Sequence, residues 1–276
     1  MDVLLGLLGA AAVLGAASGC WMLGARTARR LGKRAGEAAA AAALLATVAL
    51  VILVNHNPAR IPVAVLLSPL LYFEFAYFVP TVAFFFGLAA VRVPDLRSAK
   101  AVAVLTGVVA LYGALHAFLA FDARTLPQLR AWPPGGPVCT QSTPWSCGPA
   151  ACVTLLGAHG IPATEREMGE LCLCYPKRGT TVPRFIRGLT LKLAKEGSRL
   201  RVRAEDHLEV SDLDTFPVPA LLGIKFTLFV DHAVVLMGRD GAGNYLLADP
   251  LNGKVVPEDP ESFARRFTGE AIALVP

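Results

Sequence analysis

The segment CTQSTPWSCGPAACVTLLG spans residues 139–157 and joins a polar turn to an apolar helical run. Pro149 suits a first helical turn, and the small and aliphatic residues after it continue to Gly157 and Gly160, which favour a helix end. We therefore predict a helix that begins just after Cys147. A thiol there lies beside the free N–H groups and the positive end of the helix dipole, which stabilise the thiolate. This position suits a nucleophile.

Two later segments carry the groups that a cysteine nucleophile needs. Val230–Gly238 is predicted to be a buried strand with His232 near its start, and Asn244–Ala248 a second strand that ends at Asp249. The glycine-rich turn between them predicts an antiparallel hairpin, which brings Asp249 towards His232. His232 is then placed to take the thiol proton, and Asp249 to orient the imidazole.

A fourth group precedes the nucleophile. Gln141 lies six residues before Cys147, and its side-chain amide is able to donate to an oxyanion on an attacked carbonyl. A single cysteine or histidine is more often a packing residue than a catalytic one. Four roles in order, however, indicate nucleophilic catalysis. The role of Asp249 has an open alternative, because Asp-Pro is also common in turns.

This pattern resembles a known family, the papain-like bacteriocin-processing peptidases that cut after double-glycine leaders. The resemblance covers about residues 139–256 and rests on Gln141, on Cys147-Gly148-Pro149-Ala150, on His232-Ala-Val-Val and on Asp249-Pro250. It implies a papain-like α+β cysteine peptidase domain that needs neither a metal nor an organic cofactor. It also implies the site residues, with Cys147 as nucleophile, His232 as general base and acid, Asp249 as orienting residue and Gln141 in the oxyanion hole.

The sequence departs from this family in two ways. Ser146 stands where many members have an acidic residue, and no P-loop of an attached ATPase domain occurs in the chain. Together with the apolar runs described below, the resemblance predicts a membrane-anchored cysteine peptidase. It would hydrolyse a peptide bond, with an exported peptide or protein as its substrate. The alternative is a catalytically inactive peptide-binding or sensing module on a membrane anchor.

The rest of the chain is strongly apolar. Of its 276 residues 54% are hydrophobic and 17% are charged, and the mean hydropathy is +0.53, which excludes an ordinary cytosolic enzyme. Four runs are long enough to cross a bilayer, approximately Val3–Ala25, Ala38–Val54, Pro62–Val91 and Ala101–Phe121. We therefore predict three parts, namely a four-span α-helical transmembrane anchor over residues 1–122, a Pro/Gly-rich linker over 123–138 and the peptidase domain over 139–276.

The positive charges near these runs predict the topology. Eight basic residues flank the first and third loops, whereas the second loop offers only Arg60; the eight are Arg26, Arg29, Arg30, Lys33, Arg34, Arg92, Arg97 and Lys100. By the positive-inside rule the catalytic domain of this multi-pass protein then faces away from the cytosol. The predicted partners are the lipid bilayer and a peptide or protein substrate, and no basic stripe indicates nucleic acid.

Other titratable residues leave alternatives open. Glu74 and His116 lie inside the third and fourth runs, where a mutual pair or, for a transporter accessory protein, a substrate path would explain them. An outward-facing domain also permits a disulfide between Cys139 and either Cys172 or Cys174. A zinc site is disfavoured, since the cysteines form no C-x-x-C pair.

Overall fold

The structure, a computed structural model, describes residues 2–55, 78–93, 95–120, 126, 128–174, 179–227 and 230–276. These residues form two compact units, an N-terminal helical unit and a C-terminal unit of helices and strands. The N-terminal unit contains α1 (Asp2–Arg30), α2 (Lys33–Asn55), α3 (Phe78–Arg92) and α4 (Leu96–Ala120).

Small residues allow α1 and α3 to approach closely. A side chain on Gly24 would collide with the carbonyl of Phe84, and one on Gly87 would collide with the carbonyl of Trp21. Helix α4 also packs through small residues. The buried core of this unit consists of valines and alanines, namely Val13, Ala17, Val79, Ala83, Ala110, Ala114 and Ala117. Close backbone contact through small residues is typical of helices that associate in a bilayer.

The prediction of four membrane spans is supported only in part. Among the described residues, two helices are long and apolar enough to cross a membrane, Leu7–Arg30 and Leu96–Phe118. Core helices of soluble proteins and N-terminal signal sequences pass the same test, so four spans stay a prediction. Much of the third predicted run, including Glu74, lies outside the described residues. The His116 ring contacts the ring of Tyr112 one turn earlier, with centroids 4.3 Å apart.

The C-terminal unit begins with three helices, α5 (Cys147–Ala158), α6 (Glu165–Leu171) and α7 (Val182–Lys195). The strands follow: β1 (Arg201–Glu205), β2 (Ala220–Thr227), β3 (Val230–Arg239), β4 (Tyr245–Asp249), β5 (Lys254–Glu258) and β6 (Phe267–Val275), with the short helix α8 (Pro260–Arg266) before β6. The strands form one antiparallel sheet in the order β1-β6-β2-β3-β4-β5.

The predicted hairpin is confirmed as the β3–β4 pair. Its register aligns Val235 with Ala248 and Arg239 with Tyr245. The Asp240 carboxylate accepts the N–H of Ala242 at 2.9 Å, which stabilises the turn between the strands. The preceding strand β2 pairs with β3 in turn and aligns Leu221 with Val235.

The sheet is covered on both faces. One core lies between the sheet and helices α5 and α7, and contains Leu155, Ile186 and Leu189 together with Leu221 and Val235 of the strands. The second core lies on the opposite face, where Phe263 of α8 packs with residues such as Leu222 and Leu236. Helices first and antiparallel strands afterwards is the α+β order predicted for a papain-like domain, and the observed helices and sheet fit that fold.

The end of the predicted linker contacts this unit. Leu129 is buried and would meet any side chain added at Gly169 of α6. The N–H of Arg130 donates to the buried carboxylate of Glu165 at 3.1 Å, and Arg166 returns a backbone hydrogen bond to Arg130. The chain is therefore tied to the domain from about Leu129 onward.

The structure does not contain the disulfide considered for Cys139. All six cysteines are free thiols. The Cys139 sulfur contacts the Thr140 carbonyl at 3.9 Å, whereas Cys172 is hydrogen-bonded to Cys152 of α5. Among the described residues no group of three or more His, Cys, Asp or Glu side chains is placed to hold a metal ion.

Candidate active site

Cys147 is the first residue of α5, within one position of the predicted helix start. Ser146, which precedes it, is fully buried. The Ser146 hydroxyl donates to the Thr143 carbonyl at 3.1 Å and accepts from the Thr143 N–H at 3.0 Å. Serine at this position therefore builds the turn that sets Cys147 at the beginning of the helix.

His232 and Asp249 meet across the β3–β4 hairpin, as the sequence predicts. The His232 Nε2 lies 2.7 Å from the Asp249 Oδ1, and the imidazole is buried. Asp249 is itself held in place, because its carboxylate accepts the N–H of Leu251 at 2.8 Å and the side-chain amide of Asn252 at 2.9 Å. The carboxylate therefore has a fixed orientation towards the imidazole.

The Cys147 thiol lies beside the His232 imidazole, and both side chains line one cleft. The imidazole and the backbone N–H groups of Ala233 and Gly148 all act on the sulfur to lower the pKa of the thiol. Since Nε2 of His232 faces Asp249, Nδ1 is the ring nitrogen left for the thiol. The three side chains thus form a line from sulfur to imidazole to carboxylate, which is the arrangement that activates a nucleophile.

Electrostatics in this line favour an ion pair. Burial raises the pKa of Cys147, but the hydrogen bond from His232, the Ala233 N–H and the imidazolium charge together hold it below its usual value. Burial lowers the pKa of His232, yet the hydrogen bonds to Asp249 and Cys147 raise it to about 9. Burial raises the pKa of Asp249, and the His232 hydrogen bond brings it below its ordinary value. A thiolate beside an imidazolium is therefore the favoured state between the lowered pKa of Cys147 and the raised pKa of His232.

Cys147 and His232 open onto a cleft of about 200 Å³. Its apolar wall consists of Val182, Phe185, Leu221 and Ile272. A side chain on Gly148 would collide with the Phe185 ring, so glycine at this position lets the ring lie against the start of α5. Glu270 and Asp231 add carboxylates to the same cleft.

Gln141 lies close to the site but is not among the described residues that line the cleft. Its backbone N–H donates to the Pro250 carbonyl at 2.9 Å, which ties the segment before Cys147 to the turn after Asp249. Its side-chain Nε2 donates one hydrogen bond to the Thr143 carbonyl at 2.8 Å. A primary amide carries two N–H groups, so one donor is left for another acceptor.

Residues 136–276, half of the chain, match the model of the Peptidase C39 family. The chain belongs to this family. The resemblance read from the four motif residues is thereby confirmed, and membership supports a cysteine peptidase. The match includes the whole sheet and every residue of the thiol–imidazole–carboxylate line.

Proteins similar to this Peptidase C39 member include two uncharacterized proteins of Methanothermobacter. The one from Methanothermobacter thermautotrophicus is 33% identical over 139 residues, which are 50% of this chain and 87% of that protein. The one from Methanothermobacter marburgensis is 33% identical over 141 residues, with the same coverage. Both matches span half of this chain.

Solved structures that are similar to about half of this chain include two peptidase domains. The peptidase domain of Streptococcus ComA, a bifunctional ABC transporter of a quorum-sensing pathway, has a TM-score of 0.43 and 22% identity, covering 50% of this chain and 97% of that one. A double-glycine motif protease from an AMS/PCAT transporter, solved with its leader peptide, has a TM-score of 0.43 and 21% identity, covering 54% and 95%.

Sequence reasoning missed several residues of the site. Asn252, which binds the Asp249 carboxylate, follows an Asp-Pro turn, and the preference of Asn for turns was a usable signal. Glu270 and Phe185 offered no such signal. They reach the cleft only through the sheet order and the packing of α7, and neither can be read from local patterns.

Proposed function

We propose that this protein is a membrane-anchored cysteine peptidase that hydrolyses a peptide bond in an exported peptide or protein. The observation that supports it best is the line from Cys147 through His232 to Asp249, in which the imidazole is hydrogen-bonded to the carboxylate at 2.7 Å and the thiol and the imidazole open to one cleft. The members of the family that the sequence resembles cut after double-glycine leaders. A small residue before the scissile bond is therefore the first substrate feature to test.

The proposed reaction follows from the geometry. The Cys147 thiolate attacks the scissile carbonyl, and the His232 imidazolium donates its proton to the leaving amine. The neutral imidazole then takes a proton from the water that attacks the acyl-enzyme. Cleavage of the C–S bond releases the carboxyl product and restores the Cys147 thiolate beside the His232 imidazolium. Asp249 keeps the ring oriented throughout.

The oxyanion of each tetrahedral intermediate needs donors close to the sulfur. Cys147 begins α5, so its backbone N–H has no acceptor within the helix and is available to the developing charge. We assign the second donor to the remaining N–H of Gln141. Both assigned donors belong to one segment, residues 141–147. The turn in this segment is stabilised by the hydrogen bonds between Thr143 and Ser146.

The side of the membrane is part of the proposal. The bias of basic residues towards the first and third predicted loops supports a catalytic domain that faces away from the cytosol. The substrate would then be met after or during export, at the membrane surface.

The first test is the pH dependence of Cys147 alkylation in the full-length protein held in detergent. We expect iodoacetamide to label Cys147 at about pH 6 nearly as fast as at pH 8, because thiolates paired with imidazolium persist below the ordinary titration range. Peptide mapping supplies an internal control in the half-buried Cys174, since burial raises the pKa of that thiol to about 12. Labelling of Cys147 that rises only above about pH 8 would contradict the ion pair and favour an inactive peptide-binding module.

Asp249→Asn tests the orienting role. The amide oxygen still accepts the imidazole N–H, but the negative charge that raises the His232 pKa is lost. We expect kcat/KM at neutral pH to fall about tenfold, and the alkaline limb of the pH–rate profile to move to lower pH. Asp240→Asn in the β3–β4 turn is the matched control and should leave the limb in place. An alkaline limb that does not move in Asp249→Asn would show that this carboxylate does not act on His232.

A further inference from the structure

Glu270 lies in the catalytic cleft but takes no part in the thiol–imidazole–carboxylate line. It belongs to β6, which pairs with β2. Gly223 of β2 faces it, and a Cβ on this glycine would come within 3.0 Å of the Glu270 Oε2. The absence of a side chain at position 223 therefore makes room for the Thr268 hydroxyl, which a Cβ would meet first, and for the Glu270 carboxylate.

The charge of Glu270 is left uncompensated within the described part of the domain. Glu270 forms no ion pair there, and Lys225, whose charge acts to lower the pKa of Glu270, is itself bound to Asp231 at 2.6 Å. The Thr268 hydroxyl, a neutral donor, lies within hydrogen-bond distance of both the Gly223 carbonyl, at 3.0 Å, and the Glu270 carboxylate, at 3.4 Å. Burial, and after it the charge of Asp231, raise the pKa of Glu270.

A partly buried carboxylate without a cation is unfavourable, because it has lost water and gained no equivalent partner. The surroundings of Glu270 indicate what would offset this. The same cleft has an apolar wall that includes Val182, Phe185 and Leu221. A Lys or Arg side chain combines an aliphatic stem with a cationic end, so it complements both the wall and the carboxylate. A metal ion fits less well, since the described residues include no third ligand for it here.

We propose that Glu270 is a specificity-determining residue that binds the cationic side chain of a Lys or Arg next to the scissile bond of the substrate. This inference rests on the proposed peptidase function and adds the substrate class. Asp231 lies at the same end of the cleft and strengthens the negative potential, although its own carboxylate is bound to Lys225. Discrimination then comes from Glu270, whose carboxylate forms no ion pair with any residue that the structure describes.

The test compares substrates in the full-length protein. A library of proteome-derived peptides, digested and read by mass spectrometry, first gives the residues on either side of each cut. Two quenched peptides are then made from one cleaved sequence, with either Lys or its neutral isostere norleucine at the flanking position. We expect the wild type to favour the Lys peptide about tenfold in kcat/KM, as befits a hydrogen bond to a charged group.

Variants assign that preference to Glu270. Glu270→Gln keeps the size of the side chain and is expected to bring the Lys-to-norleucine ratio close to one, and Glu270→Lys should favour a Glu peptide instead. The exposed Glu261 of α8 gives the control Glu261→Gln, which should keep the wild-type ratio. Alkylation of Cys147 at about pH 6 checks that each variant retains a folded site.

The outcomes separate the two proposals. Cleavage by the wild type with no preference for Lys, or a preference that survives Glu270→Gln, would overturn the role of Glu270 and leave the peptidase proposal standing. Absence of any cleavage that depends on Cys147 would overturn both.

Discussion

Replacing Cys147 by alanine is expected to lower peptide hydrolysis by about 10⁴-fold or more, because removal of a covalent nucleophile leaves only binding and oxyanion stabilisation. The fold should survive, since Cys147 is half-buried at the start of α5 and alanine suits a helix. The measurement is kcat/KM on a peptide that the wild type cleaves, together with the thermal unfolding midpoint of each protein. The midpoint should change little.

Cys174→Ala is the matched control for this prediction. Cys174 is also half-buried and its sulfur lies 3.6 Å from the Trp145 carbonyl, but it does not line the cleft among the described residues. We expect this variant to retain wild-type turnover within about threefold, as for a substitution outside the reacting groups. Turnover that persists in Cys147→Ala would mean that another group cleaves the peptide.

His232→Ala has the second largest expected effect. Without the imidazole, burial is no longer opposed by its hydrogen bond and charge, so the pKa of Cys147 rises and the thiolate is lost at neutral pH. The general acid for the leaving amine is lost as well. We expect kcat/KM to fall about 10³-fold and alkylation of Cys147 at about pH 6 to become slow.

The pH–rate profile is expected to differ between the wild type and His232→Ala. In the wild type, activity should rise with pH as the thiol ionises and fall again near pH 9, where the imidazolium loses its proton. In His232→Ala the descending limb should disappear and labelling should increase only at alkaline pH. His207→Asn is the control, because His207 is exposed and Asn tolerates its positive φ of 59°. Fast labelling of His232→Ala at about pH 6 would contradict the thiolate–imidazolium pair.

Much of the site follows from local patterns in the chain. The helix start at Cys147 and the hairpin that joins His232 to Asp249 each depend on a turn and on a run of apolar residues close in sequence. The contact between Cys147 and this hairpin is long-range. It was predicted because a cysteine nucleophile needs a base and an orienting residue beside it. Ser146 could not be interpreted from sequence, because its role in the turn becomes clear only from its bonds to Thr143.

Other features depend on contacts that no local pattern encodes. The insertion of β6 between β1 and β2 decides that Glu270 reaches the cleft, and nothing around residue 270 indicates a neighbour some 50 residues earlier. Thr164 and Glu167 have the Thr-x-x-Glu spacing of a capping box, and the Thr164 hydroxyl accepts the Glu167 N–H at 3.1 Å. Glu167, however, turns its carboxylate to Lys192 and Lys195 of α7, because tertiary contacts compete with the local cap.

The position of β6 also determines when the sheet of this domain can be completed during synthesis. The last strand of the chain fills the gap between the first two strands of the sheet, so both keep an open edge until Phe267–Val275 has left the ribosome. Contacts between such distant parts of a chain form late in folding. During synthesis the segments that contain Cys147 and His232 are thus present before β6 completes the sheet. For the proposed peptidase, the active site is therefore complete only after β6 has been translated.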